Sequence, residues 1–175
     1  MPLPVAHSLL GASFVAAIHP HPNKRYFIPL FFGALLANAA DFDFALVFLL
    51  QSKTWHRGFS HSIIFALIVG LLFAFILGWR HIKEALAYGL AFASHSVLDY
   101  VTTKEGGGVN LLWLFSSERT GLRWVGLSEL PSRMRPMEIV TSLILEFVLF
   151  GLLLLLVIAA RKYILKGPDV TEGAI

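Results

Sequence analysis

Residues 60–79 have the sequence SHSIIFALIVGLLFAFILGW, an apolar run without Asp, Glu, Lys or Arg. A single α-helical span of a bilayer requires about 20 such residues. Similar stretches occupy residues 26–50, 82–101 and 139–165, whereas a fifth stretch, residues 5–18, is shorter and suits a short or tilted helix. The sequence therefore predicts an all-α fold, a polytopic membrane bundle of four to five transmembrane helices.

The composition supports membrane insertion and restricts the chemistry. Hydrophobic residues make up 57% of the 175 residues and charged residues only 14%, with a mean hydropathy of +0.73. Soluble proteins average about 45–50% apolar and about 25% charged residues, so a soluble globular domain is excluded. The chain has no cysteine, which excludes thiolate metal ligands, disulfide scaffolds and cysteine nucleophiles. Any metal must be held by nitrogen and oxygen ligands.

The basic residues predict membrane orientation rather than nucleic-acid binding, because most of them lie between apolar runs. If residues 5–18 span the membrane, one side carries Lys24, Arg25, Arg80, Lys83, Arg161, Lys162 and Lys166. The other side carries Lys53, Arg57, Lys104, Arg119, Arg123, Arg133 and Arg135, five of them in a long connection where the charge rule loses force. We expect the first side to be cytoplasmic and the protein to lie in the cell (inner) membrane.

A long connection, residues 102–138, separates the last two predicted spans. It begins with the glycine run at 106–108, which we interpret as a flexible hinge, and continues through the apolar stretch NLLWLF to the turn SRMRP. This composition is typical of an interfacial or re-entrant cap. The connection starts three residues after Asp99, so we expect it to lie over the metal-binding face and act as a lid. The predicted organisation is one membrane domain, residues 1–166, containing this connection and followed by a disordered tail, residues 167–175.

Ionisable residues inside membrane helices are costly and point to function. A hairpin that enters at Ser60 and leaves at Val101 places its two outer ends at one membrane face. The possible metal ligands expected at that face are His7, Asp41, Asp43, His56, His61, His95 and Asp99. The histidines at the opposite face, His19, His21 and His81, serve as controls.

Each motif also has a structural interpretation. His95 and Asp99, at i and i+4, share a helix face and form either a metal-binding pair or a hydrogen-bonded pair between helices. Asp41 and Asp43 point about 200° apart on a regular α-helix, so both can bind metal only if the helix ends, unwinds or lies between two ions. Alone, they could be carboxylates at a helix end in contact with water.

The block HRGFSHS, residues 56–62, is the most specific motif. Ser60 is expected to cap the next helix, and Arg57 offers a planar fork for phosphate or carboxylate, or else snorkels at the interface. Glu146 is either an extra ligand or base, or a structural partner of a neighbouring helix. The convergence of seven possible ligands nevertheless predicts a metal site.

These motifs together resemble the membrane-bound metal-dependent hydrolase family often called the YdjM family. The resemblance covers roughly residues 7–116, with HRG-x-[ST]-HS and H-x-x-x-D as its most specific blocks. That family is distantly similar to the helical zinc phospholipase C and nuclease P1 group, which hydrolyses phosphate esters at clustered His and Asp metal sites. Two prolines of the family pattern are replaced by Ala40 and Leu114. Without the first proline, a sharp helix break at Asp41 is less expected.

The resemblance implies a metal-dependent hydrolase that cleaves a phosphate ester of a lipid or amphiphile with one to three divalent ions, most simply Zn²⁺. The ligands would be the seven residues named above. Asp41 and Asp43 would bridge ions or activate water, and Arg57 would clamp a phosphoryl oxygen. Expected partners are the membrane and an amphiphilic substrate, with no nucleic acid. Two alternatives stay open: a metal-ion or proton-coupled transporter, and a protein in which metal only staples the helices.

Overall fold

The computed structural model describes residues 2–20, 26–102, 107–122 and 136–166, and these residues are helical or irregular apart from one isolated β-bridge between Val109 and Thr120. The α-helices in chain order are α1 (Pro4–Ile18), α2 (Phe27–Asn38), α3 (Phe44–Leu50), α4 (Ile63–Leu77), α5 (Ile82–Thr102) and α6 (Pro136–Lys166). The all-α prediction is therefore confirmed. The predicted tail, residues 167–175, lies outside the described residues.

Among the described residues, two helical stretches are long and apolar enough to cross a membrane, Phe27–Leu50 and Pro136–Leu165. Helices α1 and α4 are apolar but have only 15 residues each. At 1.5 Å per residue such helices are about 22 Å long, shorter than a hydrocarbon core of about 30 Å. Helix α5 has 21 residues but carries Lys83, Glu84 and Asp99. The predicted number of four to five transmembrane helices is therefore not confirmed.

Helix α1 lies at the centre of the bundle and packs against α2, α5 and α6, while α4 packs against α5. Its approach to α2 depends on Gly11, because a Cβ at this position would lie 2.6 Å from the carbonyl oxygen of Gly33 and 2.4 Å from Cβ of Ala37. Small residues allow helix backbones to pack this closely. The contact brings the start of α1, with His7, close to the end of α2.

Helix α6 holds both ends of α1. The Glu146 carboxylate accepts the backbone N–H of Leu3, with both oxygens 3.0 Å from the nitrogen. The Arg161 guanidinium donates to the carbonyl oxygens of Ala16 and His19 at the other end. An anion at a helix N-terminus and a cation at its C-terminus both complement the helix dipole. Of the roles left open for Glu146, the structural one is observed.

The apolar stretch 26–50 does not continue as one α-helix. It tightens into a 3₁₀ turn at Ala39–Asp43 between α2 and α3, although Ala40 stands where a proline was expected. With about three residues per turn, positions i and i+2 are about 120° apart, compared with about 160° by the shorter way in an α-helix. The turn therefore brings Asp41 and Asp43 closer in direction than a regular helix would.

Helix α4 begins two residues later than the Ser60 cap predicts. The hydroxyl of Ser62 caps it by accepting the N–H of Phe65 at 3.1 Å. The prediction for Ser60 was therefore wrong, because Ser60 instead donates to Asp43 Oδ2 at 2.7 Å. Capping at Ser62 leaves residues 56–61 outside the helix, so this loop can bend around the carboxylates.

The described part of the long connection, residues 107–122, packs on this loop. The backbone N–H of Asn110 donates to the Arg57 carbonyl at 3.1 Å, and the N–H of Ile63 donates to the Leu111 carbonyl at 3.1 Å. Gly108 adopts φ +80°, and a Cβ there would lie 2.3 Å from the Thr120 carbonyl oxygen. The glycine run thus ends in a fixed turn at Gly108, whereas residues 103–106 and 123–135 lie outside the described residues.

Candidate metal centre

Four buried ligand atoms that have no hydrogen-bond partner in the described part of the chain converge where the turn after α2, the loop before α4 and helix α5 meet. Asp41 Oδ1 lies 3.5 Å from His61 Nε2 and 3.3 Å from His95 Nε2. Asp99 Oδ2 lies 3.8 Å and 3.9 Å from the same two nitrogens. In a tetrahedral zinc site with bonds of about 2.1 Å, the ligand atoms are about 3.4 Å apart. Asp41, His61 and His95 form one group whose possible ligand atoms all lie within 4.8 Å of one another, and His7, His95 and Asp99 form another, so each group could hold a small divalent ion.

In both His61 and His95, the Nδ1 atom, which is not among the four converging ligand atoms, has a partner within the protein. His95 Nδ1 lies 2.6 Å from the carbonyl oxygen of Ala37, which can only accept, so Nδ1 is the donor and Nε2 keeps its lone pair. His61 Nδ1 lies 3.3 Å from Asp43 Oδ2 and 3.0 Å from the Ser60 hydroxyl. Such outer partners orient metal-binding histidines and select the tautomer. Both Nε2 atoms are thus directed at the same point.

Asp43 is the centre of a hydrogen-bond network behind the ligand atoms. Its Oδ2 accepts the Arg57 backbone N–H at 2.9 Å and the Ser60 hydroxyl at 2.7 Å. Its Oδ1 lies 2.9 Å from His56 Nδ1. Asp41 Oδ1, in contrast, has no hydrogen-bond partner among the described residues. The two carboxylates that were predicted as equivalent therefore occupy different environments.

A second possible position adjoins the first. His7 is fully buried, its Nε2 lies 3.5 Å from Asp99 Oδ1, and its ring stacks on that of His95 with centroids 3.8 Å apart. Neither ring nitrogen of His7 has a hydrogen-bond partner among the described residues. The two oxygens of Asp99 thus face different histidines, a geometry in which one carboxylate can bridge two ions.

His56 and Arg57 close the cluster on the loop side. Asp41, Asp43 and His56 form a third group whose possible ligand atoms lie within 4.8 Å of one another. Arg57 is buried, and its Nε lies 3.7 Å from Asp99 Oδ2. Its φ of 59° is uncommon for a residue with a side chain, and such conformations concentrate at functional sites. The backbone bonds of Arg57 to Asp43 and Asn110 hold this conformation.

The protonation of His61, which lies outside both candidate spans, is strongly affected by its neighbours. Burial lowers the pKa, but the neighbouring carboxylates of Asp41, Asp43 and Asp99 outweigh burial and raise the pKa of His61 to about 9. A proton and a metal ion would compete for Nε2, since a ligand must give up its proton to bind metal. The carboxylates that attract the proton would attract a divalent cation more strongly.

The donor set fits a divalent ion. Buried imidazole nitrogens and carboxylate oxygens suit zinc and similar metals, and polar atoms buried without partners are costly. The structure brings together all seven predicted ligands and Arg57. His19 and His81 lie at the opposite end, at the end of α1 and between α4 and α5, as expected of controls. The third control, His21, lies outside the described residues.

Two contributors to the site were missed from sequence. Ser60 was interpreted as a helix cap, although its place in HRGFSHS, between two histidines, was a usable signal for a role in the site. The Ala37 carbonyl that orients His95 leaves no signal, because every residue has a carbonyl group and the partner is 58 positions away.

The comparisons with known proteins agree with the resemblance seen in the motifs. The chain matches the family described as YdjM inner membrane protein over residues 1–165, and it belongs to that family. It is similar to inner membrane protein YbcI of Escherichia coli (strain K12), with 40% identity over 103 residues, covering 54% of this chain and 58% of that relative. No solved structure matches the chain. It is therefore a membrane protein of the YdjM family, and the comparisons support a location in the inner membrane.

Proposed function

We propose that this protein is a membrane-embedded, metal-dependent hydrolase that cleaves a phosphate ester of a lipid or amphiphile. One observation carries the proposal: Asp41 Oδ1, His61 Nε2, His95 Nε2 and Asp99 Oδ2 are buried without hydrogen-bond partners among the described residues, and each carboxylate oxygen lies 3.3–3.9 Å from both nitrogens. Such an arrangement is unfavourable unless a cation completes it. The proposed ion is Zn²⁺ or a similar divalent metal.

The proposal divides the predicted ligands into two roles. Asp41, His61 and His95, bordered by Asp99, would hold a first ion, and His7, His95 and Asp99 would hold a further one. Asp43 orients His61 and His56 from behind rather than binding metal, because its oxygens already accept several hydrogen bonds. When bound, such an ion supplies Lewis acidity that lowers the pKa of water from 15.7 to about 7.

Substrate would approach past Asp41. Its side chain is 21% exposed, whereas the side chains of His61, His95 and Asp99 have no exposure. As the more exposed carboxylate, Asp41 would also accept a proton from an entering water molecule. Arg57, whose guanidinium borders Asp99, would bind a phosphoryl oxygen through its planar fork.

An amphiphilic substrate is favoured by the surroundings of the two carboxylates. Phe42, between Asp41 and Asp43, is 78% exposed, and the following Phe44 is 42% exposed. In a membrane protein such side chains face lipid, so an ester on a lipid headgroup could reach the cluster without leaving the bilayer surface. The proposal also includes that α1, α4 and α5 each cross the membrane.

The catalytic test uses protein purified in detergent. We expect stoichiometric zinc by elemental analysis and turnover of bis(4-nitrophenyl) phosphate or 4-nitrophenyl phosphate. Asp99→Asn should lose both, and His81→Ala, at the opposite end, should keep both. Full turnover by a metal-free Asp99→Asn protein would contradict the proposal, and metal uptake into proteoliposomes without turnover would favour transport instead.

We also propose that the cluster faces the extracytoplasmic side. The support is the positive charge that closely flanks the spans at the opposite side, at Lys24, Arg25, Arg80, Lys83 and the basic residues after Ala160. The chain has no cysteine, so single cysteines at Lys53 and Lys83 can be labelled in intact cells with an impermeant thiol reagent. Labelling at position 53 alone is expected, whereas labelling at position 83 alone would invert the orientation.

A further inference from the structure

A polar, aromatic cleft of about 550 Å³ lies on the other side of the loop that carries His56 and His61. Residues 54–61 divide between the two sites. Trp55, Gly58 and Phe59 line the cleft, while the side chains that contact the carboxylates are His56, Arg57, Ser60 and His61. The remaining wall comes from residues 110–119 of the long connection. The cleft and the metal cluster therefore share one loop as a common wall.

The cleft combines aromatic rings with hydrogen-bonding groups. Trp113 and Phe59 have ring centroids 5.7 Å apart and interplanar angles of 55°, and Trp55 lies edge-on to Phe59 at 6.5 Å. Asn110 is only 7% exposed, and its side-chain oxygen has no hydrogen-bond partner among the described residues. Arg119 lies across the rim, where its Nη2 donates to the Thr54 carbonyl at 2.8 Å.

This combination restricts the chemistry of an occupant. A hydrocarbon chain would cover the polar lining residues Asn110, Ser117 and Arg119 without bonding to them, which costs free energy. A cationic headgroup would meet the Arg119 guanidinium, and no Asp or Glu is among the described lining residues to compensate. A neutral ring with hydroxyl groups fits this lining, because its C–H faces pack on the indole rings and its hydroxyls both donate to and accept from polar residues such as Asn110 and Ser117. The volume lies within the range of about 300–1,000 Å³ that is usual for ligand sites.

We propose that this cleft binds a hydroxyl-rich headgroup, a saccharide, in the substrate of the neighbouring metal site. The substrate would then be a glycosylated amphiphile with its phosphate ester at the metal cluster, an inference that rests on the proposed hydrolase function. The N–H of Asn110 donates to the Arg57 carbonyl at 3.1 Å, so the residue facing the headgroup is bonded to the residue facing the phosphate. Occupation of the cleft would thereby position the ester.

The test measures saccharide binding without catalysis. Protein in an amine-oxide detergent is titrated with methyl α-glucoside, and binding is followed by tryptophan fluorescence and calorimetry. We expect saturable binding that weakens at least tenfold in Asn110→Ala, which keeps the backbone bond to Arg57, and in Trp113→Leu. The matched control Trp79→Leu, 82% exposed at the opposite end of α4, should bind as the unmodified protein does. Equal affinity of Asn110→Ala and the unmodified protein, or no saturable binding, would overturn the proposal.

Two further measurements distinguish the saccharide-binding proposal from the proposed hydrolase function. Asp99→Asn, which removes a metal ligand, should bind methyl α-glucoside with unchanged affinity. Metal binding and phosphodiester turnover without saccharide binding would overturn the cleft alone, and saccharide binding without metal or turnover would overturn the hydrolase alone. Nanodiscs containing glucosyldiacylglycerol show whether the saccharide belongs to a lipid. If the protein binds this lipid more tightly than methyl α-glucoside, the ligand is a lipid headgroup; equal affinities indicate a free saccharide.

Discussion

The two ends of the bundle use histidine differently. At one end, His7, His61 and His95 are fully buried, and each has an Nε2 within 3.5 Å of a carboxylate oxygen. At the other end, His81 has a 54% exposed side chain paired with Glu84 at 2.8 Å, three positions along the same chain segment. The histidines at the two ends therefore differ in their burial and in the partners that lie within reach.

This comparison indicates that a histidine belongs to the candidate site when it is buried and carboxylates converge on it, and that the residue type alone is not sufficient. His19 illustrates the point, because it is also buried, yet it ends α1 and its carbonyl accepts the Arg161 guanidinium. Its ring lies beside that of Tyr88, with centroids 6.3 Å apart. A buried histidine at a helix end thus has a structural environment, whereas those near Asp41 and Asp99 have the environment of ligands.

The largest expected effect separates the two ends directly. His61→Ala and His95→Ala should each weaken zinc binding more than about 100-fold, because loss of a ligand exceeds the 10–100-fold effect of losing an outer partner. Turnover should fall at least as much. His19→Ala and His81→Ala should change metal affinity less than about twofold. Zinc titration against a competing chelator gives these values, and similar losses at both ends would refute the shared site.

The second expected effect is a pH dependence confined to the metal end. Because the pKa of His61 is raised to about 9, its proton must be displaced throughout the range from pH 6 to 8. One displaced proton makes zinc affinity rise about tenfold per pH unit, so affinity should increase with pH and level off near 9. His81→Ala should show the same slope. A flat profile between pH 6 and 8 would show that His61 does not exchange a proton for metal.

A smaller effect is expected for the carboxylate behind the ligands. Asp43→Asn keeps the size of the side chain but removes its charge, so His61 and His56 lose an ionic partner. We expect zinc affinity to fall about 10–100-fold, as for other outer-partner substitutions. Asp41→Asn should cause a greater loss, since Asp41 is the proposed ligand. The reverse order, measured by the same titration, would exchange the two roles.

The smallest effects test the two contacts of α6 with α1. Glu146→Gln and Arg161→Gln should each lower stability by about 1–2 kcal/mol, because each weakens a charged hydrogen bond at a helix end. Thermal unfolding in detergent measures this loss. Only Glu146→Gln should also weaken zinc binding, by less than about tenfold, because Leu3 lies one turn before His7. An equal effect of Arg161→Gln on zinc would mean that the two ends are not independent.

Much of the site could be predicted from the sequence because helix direction alternates along the chain. The ends of a helical hairpin meet at one face, so His56, His61, His95 and Asp99 had to lie near one another. The number of spans was less predictable, because apolar composition does not reveal where a helix ends. Residues 60–79 begin in a 3₁₀ turn at Phe59–His61, before the cap at Ser62, and residues 26–50 contain the 3₁₀ turn at Ala39–Asp43.

The sequence by itself determined the all-helical class, the membrane environment, the family and the identity of the possible ligands, because these depend on composition and short motifs. Only the tertiary structure decided which ring nitrogens keep a lone pair and how Asp41 and Asp43 divide their roles. Those properties depend on distances of about 3 Å between residues far apart in the chain. The 2.6 Å contact between His95 Nδ1 and the Ala37 carbonyl exists only because α2 and α5 pack together.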